Sequence, residues 1–166
     1  METFNGYINR ETETIINFID GEDTIKLGNL QNEGYSVYDC SIVSGTTLDS
    51  GRVIETQGIM EVKTRNVTST EYEDVALELS KVTSMSKKLC ELKDKHPNMI
   101  INQFFLCKFL DRTFLWDISQ VDLGQIKYKK CPKQTSTDGN NEYIYKPLIM
   151  FQYKDAIINK ENKKRK

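Results

Sequence analysis

The stretch "GIMEVKTRN", residues 58–66, places one acidic and two basic side chains at every second position. Side chains alternate between the two faces of a β-strand, so Glu61, Lys63 and Arg65 share one face if this segment is extended. The composition of residues 53–65 favours a strand. A carboxylate, an ammonium and a guanidinium on one face can bind a cation, orient a water molecule and contact a phosphate.

A second carboxylate comes from an upstream segment. Residues 35–43, "YSVYDCSIV", are rich in Tyr and Val, which predicts a strand. If the two strands pair as a hairpin, Asp39 lies near Glu61. Two carboxylates and a main-chain carbonyl, here that of Val62, form the hard oxygen site that Mg²⁺ or Mn²⁺ prefers. Such an ion activates water and polarises a phosphoryl oxygen, and Lys63 can orient or deprotonate that water.

The pattern Glu-x-Lys alone does not identify a site, because it occurs three times in the chain. The copy at residues 91–93 falls in a predicted helix, where side chains two apart do not face each other. The copy at residues 161–163 lies in a charged tail. Only the copy at residues 61–63 combines an apolar strand, an upstream acid and a downstream helix. The alternative is an exposed cross-strand charge ladder, worth well under about 1 kcal/mol per pair, with Asp39 as an ordinary polar residue.

Two helices are predicted. Residues 8–20 have amphipathic periodicity, with Ile15 and Ile16 on the apolar face. Glu11 falls inside that face, where a carboxylate needs a partner. A long helix is predicted over residues 71–95, with Thr70 and Glu73 at capping-box spacing.

Further strands complete a mixed α/β domain. The apolar segment 98–110 predicts a strand buried on both faces. "FLWDI" follows a turn, and "IKYKKC" and "YIYKPLIMFQY" predict a terminal hairpin around the loop "TSTDGNN". Gly58 indicates a bulge, and Pro147 indicates that the last strand is an edge or contains a bulge.

Composition limits the class of protein. A chain of 166 residues fits one domain with a substantial core. No segment has the roughly 18 consecutive apolar residues of a membrane span, and the N-terminus lacks the pattern of a secretory signal, so we expect an intracellular protein. Four scattered cysteines and a single histidine, His96, disfavour a zinc site or a disulfide framework.

Charge is distributed unevenly along the chain. Residues 1–50 carry two basic and nine acidic side chains, residues 51–125 ten and eleven, and residues 126–166 eleven and four. This asymmetry favours an acidic cluster together with a basic surface, a combination suited to binding a metal ion and a polyanion. The alternative is a basic solvated tail, "NKENKKRK", with ordinary surface charge elsewhere.

The segments "YSVYDCSIV", "GIMEVKTRN" and "YEDVALELSKVTSMSKKL" together resemble the PD-(D/E)xK nuclease superfamily. The run "EVKTR" with a helix behind it is the most specific part, and Tyr38 stands where the family often has proline. The resemblance implies a restriction-endonuclease-like fold, a mixed β-sheet flanked by helices, here with a C-terminal β extension. We expect one domain over residues 1–153, with its core at about 8–118 and the extension at about 119–153, before a basic tail at 154–166.

The resemblance also implies roles for individual residues. Asp39 and Glu61 would be metal ligands and, with Lys63, the catalytic residues. The further candidates are metal ligands at Val62 and Glu11 and nucleic-acid contacts at Arg65 and Lys81.

The function that this resemblance implies is hydrolysis of phosphodiester bonds by a nuclease that requires Mg²⁺ or Mn²⁺. We expect DNA rather than RNA as the substrate and no membrane partner. Many members of the superfamily are homodimers, but the sequence has no interface signature. The Asn-, Lys- and Ile-rich composition fits a phage or viral protein in a host cytoplasm. The alternative is a nuclease-fold protein that no longer cuts and serves as a nucleic-acid-binding or assembly protein.

Overall fold

A computed structural model describes residues 4–20, 22, 25–31, 36–47, 53–120, 126–133 and 142–162. In these ranges the chain forms two helices, α1 (Phe4–Ile19) and α2 (Leu79–Lys95). The strands of the same ranges are β1 (Ile25–Leu30), β2 (Cys40–Thr47), β3 (Val53–Thr64), β4 (Val75–Glu78), β5 (Ile100–Lys108), β6 (Arg112–Asp117), β7 (Ile126–Pro132), β8 (Tyr143–Phe151) and β9 (Ile158–Glu161). Neither helix is long and apolar enough to cross a membrane.

The larger sheet is mixed and has the strand order β1-β2-β3-β5-β6-β9. Strands β1, β2 and β3 form an antiparallel meander, and Cys40 pairs with Met60 in the predicted hairpin. Strand β5 runs parallel to β3, because α2 returns the chain to the starting end of the sheet. The predicted α/β class with a mixed sheet is confirmed.

The smaller sheet contains β4, β8 and β7 in that order, so the predicted terminal hairpin of β7 and β8 is confirmed. One hydrophobic cluster joins it to the larger sheet: Leu77 and Ile149 of the smaller sheet pack with Ile59 and Phe105 of the larger one and with Met85 of α2. The smaller sheet and α2 therefore cover the same face of the larger sheet.

Helix α1 covers the opposite face. Ile15 and Phe18 are buried against Met60 and Val62 of β3, as the apolar periodicity of this segment predicts. Ile16, predicted on the same face, is instead 42% exposed. Strand β5 is buried on both faces, as predicted, because each face of the sheet has its own helix.

The predicted start of the long helix is wrong. Residues 75–78 form β4, and α2 begins only at Leu79. The apolar residues Val75 and Leu77 fit both a helix and a strand by spacing, and the pairing of β4 with β8 decides the outcome. The predicted capping box of Thr70 and Glu73 does not start α2, and the capping box of this region is instead formed by Thr68 and Glu71 at a short 3-10 turn, where Thr68 N–H donates to Glu71 Oε1 at 3.1 Å.

The predicted strand at residues 35–43 begins only at Cys40, since residues 37–39 form a bend. The bulge expected at Gly58 is also wrong: β2 and β3 keep their register past it. Glycine is required there because a Cβ atom would lie 2.6 Å from the ring of Phe104.

Pro147 does not make β8 an edge strand, since β8 lies between β4 and β7. However, the pairing of β8 with β4 stops at Leu148, so Pro147 pairs only with β7. Proline has no N–H to donate, and at this position no hydrogen bond to β4 is lost.

Two strands have no counterpart among the predicted elements. Strand β1 pairs with β2, and β9, from the segment expected to be a basic tail, pairs with β6 at the edge of the larger sheet. The loop 135–141 and the last four residues lie outside the described residues.

Candidate active site at the end of β3

Glu61 is the only acidic side chain of the described residues that is fully buried, with an exposed fraction of 0%. It lies near the end of β3, on the face that α2 covers. Its Oε2 accepts a hydrogen bond from Lys81 Nζ at 3.2 Å. Its Oε1 lies 2.9 Å from Lys63 Nζ, so each oxygen of this buried carboxylate is paired with a lysine. Burying an ionised carboxylate is expensive unless it is fully paired.

Asp39 is held beside Glu61 by the first residues of the hairpin. Its N–H donates to Met60 O at 2.9 Å, and its Oδ2 accepts from Val62 N–H at 2.6 Å. Burial is the main cause that raises the pKa of Asp39 to about 7, and the negative charge of Glu61 raises it further. Lys63 opposes this effect without cancelling it. A carboxyl with a perturbed pKa beside a second acid is typical of functional sites.

Lys63 connects the strand to α1. Its Nζ lies 3.4 Å from Glu11 Oε1, so the carboxylate on the apolar face of α1 has the partner that the sequence requires. A hydrogen bond of 3.2 Å between the hydroxyls of Thr14 and Thr64 fixes the helix against the strand at this point. Burial alone would lower the pKa of Lys63, but the carboxylates of Glu61, Glu11 and Asp39 raise it well above the usual lysine value.

Lys81 belongs to the same cluster, although the sequence suggested only a nucleic-acid contact. It lies in the first turn of α2, and its ammonium reaches Glu61 and, at 3.4 Å, the main-chain carbonyl of Ser36. The side chain is 35% exposed, so Lys81 is only partly buried. Lys81 therefore ties together the helix, the buried acid and the segment that precedes Asp39.

Arg65 is not part of this cluster. It lies one residue beyond β3, its N–H donates to Lys108 O at 2.7 Å, and the residue is exposed. Its guanidinium interacts with Cys107, whose pKa is raised to about 11 chiefly by burial, an effect that Arg65 partly opposes. The side chain of Arg65 thus lies on the face that the alternation of the strand predicts, but it does not belong to the cluster of carboxylates.

The cluster has an excess of negative charge when its side chains are ionised. Three carboxylates, from Glu11, Asp39 and Glu61, face two ammonium groups, from Lys63 and Lys81. This excess of negative charge suits an added cation. Within the described ranges, however, no group of three or more Asp, Glu, His or Cys side chains is arranged to hold a metal ion.

An open cleft of about 690 Å³ lies beside the cluster. Residues 36–38 line one side, and Ser84, Lys87 and Lys88 of α2 line the other. Ser36, whose carbonyl accepts a hydrogen bond from Lys81, is among the residues that line this cleft, so the cleft and the cluster are adjacent.

Sequence reasoning missed two parts of this arrangement. The role of Ser36 depends on its main-chain carbonyl, which leaves no signal in the residue type. The lysines of α2 beside the cleft did leave a signal, because Lys81 and Lys88 lie seven residues apart and so share one side of a helix.

No protein-family model, no curated protein and no solved structure matches this chain. The interpretation of the site therefore depends on its own geometry and on the motif in its sequence.

Proposed function

We propose that this protein is a metal-dependent nuclease that hydrolyses phosphodiester bonds of nucleic acid, preferably DNA. The observation that carries the proposal is the fully buried Glu61, which lies beside Asp39 and between two lysines. Such a cluster destabilises the fold unless every charge is compensated, so its presence favours a functional role over a structural one.

The fold around the cluster supports the same proposal. The acid-x-lysine pair lies at the end of β3, a central strand of a mixed sheet with a helix on each face. The upstream acid arrives by the hairpin and the downstream helix supplies Lys81, as the resemblance to the PD-(D/E)xK superfamily implies. A restriction-endonuclease-like fold remains part of this proposal.

The cofactor in this proposal is Mg²⁺ or Mn²⁺. Asp39 and Glu61 would hold the ion together with the main-chain carbonyl of Val62, and Glu11, whose Oε1 lies 3.4 Å from Lys63 Nζ, is the further candidate from α1. When bound, the ion would act as a Lewis acid on a phosphate oxygen and lower the pKa of a water molecule.

Lys63 contributes a permanent positive charge in this proposal. Because its pKa is raised, its Nζ keeps its proton at neutral pH, so orientation of a water molecule or a phosphate oxygen is favoured over removal of a proton. Lys81 holds the second oxygen of Glu61 and keeps the carboxylate in a fixed direction. Preorganised charges of this kind need no rearrangement during the reaction.

A cleavage assay tests the proposal. Labelled single-stranded, double-stranded and branched DNA and RNA are incubated with Mg²⁺, Mn²⁺ or EDTA, for the natural chain and for Glu61→Gln. Glu161→Gln is the matched control, because Glu161 belongs to the same Glu-x-Lys pattern but its side chain is 79% exposed. Metal-dependent cleavage that is lost only in Glu61→Gln is the expected result.

A second candidate function is a nuclease-fold nucleic-acid-binding or assembly protein that does not cut. One observation favours it: Lys63 and Lys81 offset the charge of Glu61 without any metal ion. Nucleic-acid binding that does not depend on Mg²⁺ or Mn²⁺, together with no cleavage of any substrate, would favour this candidate and contradict the first.

A further inference from the structure

A lysine- and tyrosine-rich ribbon extends from the smaller sheet. We define the lysine–tyrosine arm as residues 126–133 and 142–147. Strand β4 pairs with β8 only from Leu148 onward, so in the described chain the arm is a ribbon of two strands, β7 and the first part of β8. Most of its residues are exposed, whereas residues 148–151 are buried. The arm therefore adds little to the core.

One face of the arm carries three exposed aromatic rings. Tyr128 pairs with Pro147 and Lys130 pairs with Tyr145, so these four side chains share a face. Tyr143 precedes Tyr145 by two residues in β8 and therefore lies on the same face. The exposed fractions of Tyr128, Tyr143 and Tyr145 are 72%, 52% and 72%. Aromatic side chains exposed together on one face are characteristic of binding surfaces.

The arm also has an excess of positive charge. Its lysines are partly matched by acids: Lys127 and Lys129 share Asp74, Lys146 pairs with Glu78 at 2.7 Å, and Lys133 pairs with Glu142. Lys130 differs, since its Nζ lies 5.9 Å from the centre of the Tyr143 ring. Five lysines thus face three carboxylates. The aromatic face contains the one lysine of the arm that has no acid partner among the described residues.

Single-stranded nucleic acid matches this surface. Its bases can stack on aromatic rings and its phosphates can approach lysines. Side chains two residues apart on a strand lie about 6.7 Å apart, which presents Tyr143 and Tyr145 as successive platforms for unstacked bases. Addition of a protein strand to β7 is disfavoured, because an edge with several lysines and a proline resists pairing.

The arm is joined to the candidate active site through β4. Lys146 pairs with Glu78, the residue that precedes α2, and Lys81 follows three residues later. A nucleic-acid strand bound along the arm would therefore lie near the N-terminus of α2, the helix whose Lys81 contacts Glu61.

We propose that the lysine–tyrosine arm binds single-stranded nucleic acid, with bases stacked on Tyr128, Tyr143 and Tyr145 and phosphates near Lys130. The part of this proposal that concerns the substrate rests on the proposed nuclease function: the arm would bind an unpaired strand of the nucleic acid that is cleaved. The binding itself can be tested without cleavage.

The test is fluorescence anisotropy in EDTA with a labelled oligothymidine of about 12 nucleotides and a duplex of equal length. Tyr145→Ala combined with Tyr128→Ala is expected to weaken binding of the single strand about tenfold or more. Tyr145→Phe is expected to bind like the natural chain, because it keeps the ring. Tyr72→Ala is the matched control, since Tyr72 is 52% exposed but lies outside the arm.

Equal binding by the double alanine variant, or preference of the natural chain for the duplex, would overturn the inference. So would a dimer in sedimentation that the double variant alone dissociates, because the rings would then contact a second copy. If the arm variants bind like the natural chain but the protein cleaves nucleic acid in the presence of metal, the inference is rejected and the nuclease proposal stands. If binding depends on the arm but the protein cleaves nothing, the nuclease proposal is rejected and the inference stands.

Discussion

The end of β3 and the lysine–tyrosine arm both pair lysines with carboxylates, but they do so in different surroundings. At the end of β3 the acid is inaccessible, since Glu61 has an exposed fraction of 0%. The pair of Lys133 and Glu142 in the arm is instead open to water, since each side chain is 53% exposed. The N–O distance is 2.9 Å for Lys63 with Glu61 and for Lys133 with Glu142, so distance alone does not distinguish the two regions.

Burial decides what each pair does. In water, an ion pair is screened and contributes about 0–1 kcal/mol. At the end of β3, removal of a lysine leaves the charge of Glu61 without its partner and out of reach of solvent. Each lysine that contacts Glu61 is therefore needed for the stability of the fold. A fold loses little when an exposed ion pair is removed. It retains a buried pair only where the charges are useful. This difference supports the proposed active site at the end of β3 and a replaceable, solvent-facing surface in the arm.

The largest difference between the two regions is expected in cleavage. Lys63→Met removes the ammonium next to Glu61 and should lower the cleavage rate by about 10²-fold or more, a magnitude typical of a lost charge at a reacting phosphate. Lys95→Met, at the exposed end of α2, should cleave at the natural rate. Initial rates under saturating metal measure both. Unchanged cleavage by Lys63→Met would contradict the proposed role of this residue.

The next largest effect is expected in folding stability. Lys81→Met leaves Glu61 Oε2 buried without its donor and should lower the free energy of unfolding by about 3 kcal/mol. The double variant Glu61→Gln with Lys81→Met should recover part of this loss, because the buried charge is then absent. Urea denaturation measures the three proteins, and equal stabilities of the double and single variants would show that the charge is not the cause.

A smaller effect is expected in the pH dependence of the metal-free protein. The pKa of Asp39 is about 7 in the folded chain and about 3.9 when unfolded, so between these values the folded state binds more protons. Stability should therefore fall as pH rises from about 4 to 7, by about 3 kcal/mol. Asp39→Asn keeps an acceptor for Val62 N–H but removes this titration.

Denaturation in EDTA at several pH values checks this expectation. Asp39→Asn should be more stable than the natural chain at pH 8 and should approach it near pH 4. Parallel curves for the two proteins would mean that Asp39 keeps an ordinary pKa in the folded state.

The local geometry of the site was predictable from the sequence. Alternation along β3 fixes the common face of Glu61 and Lys63, and one hairpin is enough to bring Asp39 to them. The periodicity of α1 placed Glu11 on the inner face, and its partner is Lys63. These relations depend on short stretches of chain, which the residue pattern determines.

Elements that depend on a distant partner were not predictable in the same way. The segment 75–78 has spacing that fits a helix, and it is a strand because β8, about seventy residues later, pairs with it. Strand β9 lies in a segment whose lysines and asparagines favour a solvated tail, and the edge of β6 gives it a partner. The ion pair of Lys81 with Glu61 was not predictable either, because the start of α2, and hence the distance between the two side chains, depends on the same pairing.

The smallest effect is expected in the arm, and it tests the other half of the comparison. Lys133→Met removes an ion pair with the same N–O distance as that of Lys63 with Glu61, yet the free energy of unfolding should change by less than about 0.5 kcal/mol. Urea denaturation at low and high salt measures the change, and salt should reduce it further because both groups are exposed. A loss near that of Lys81→Met would mean that exposure does not weaken this pair, and burial would then no longer separate the arm from the end of β3.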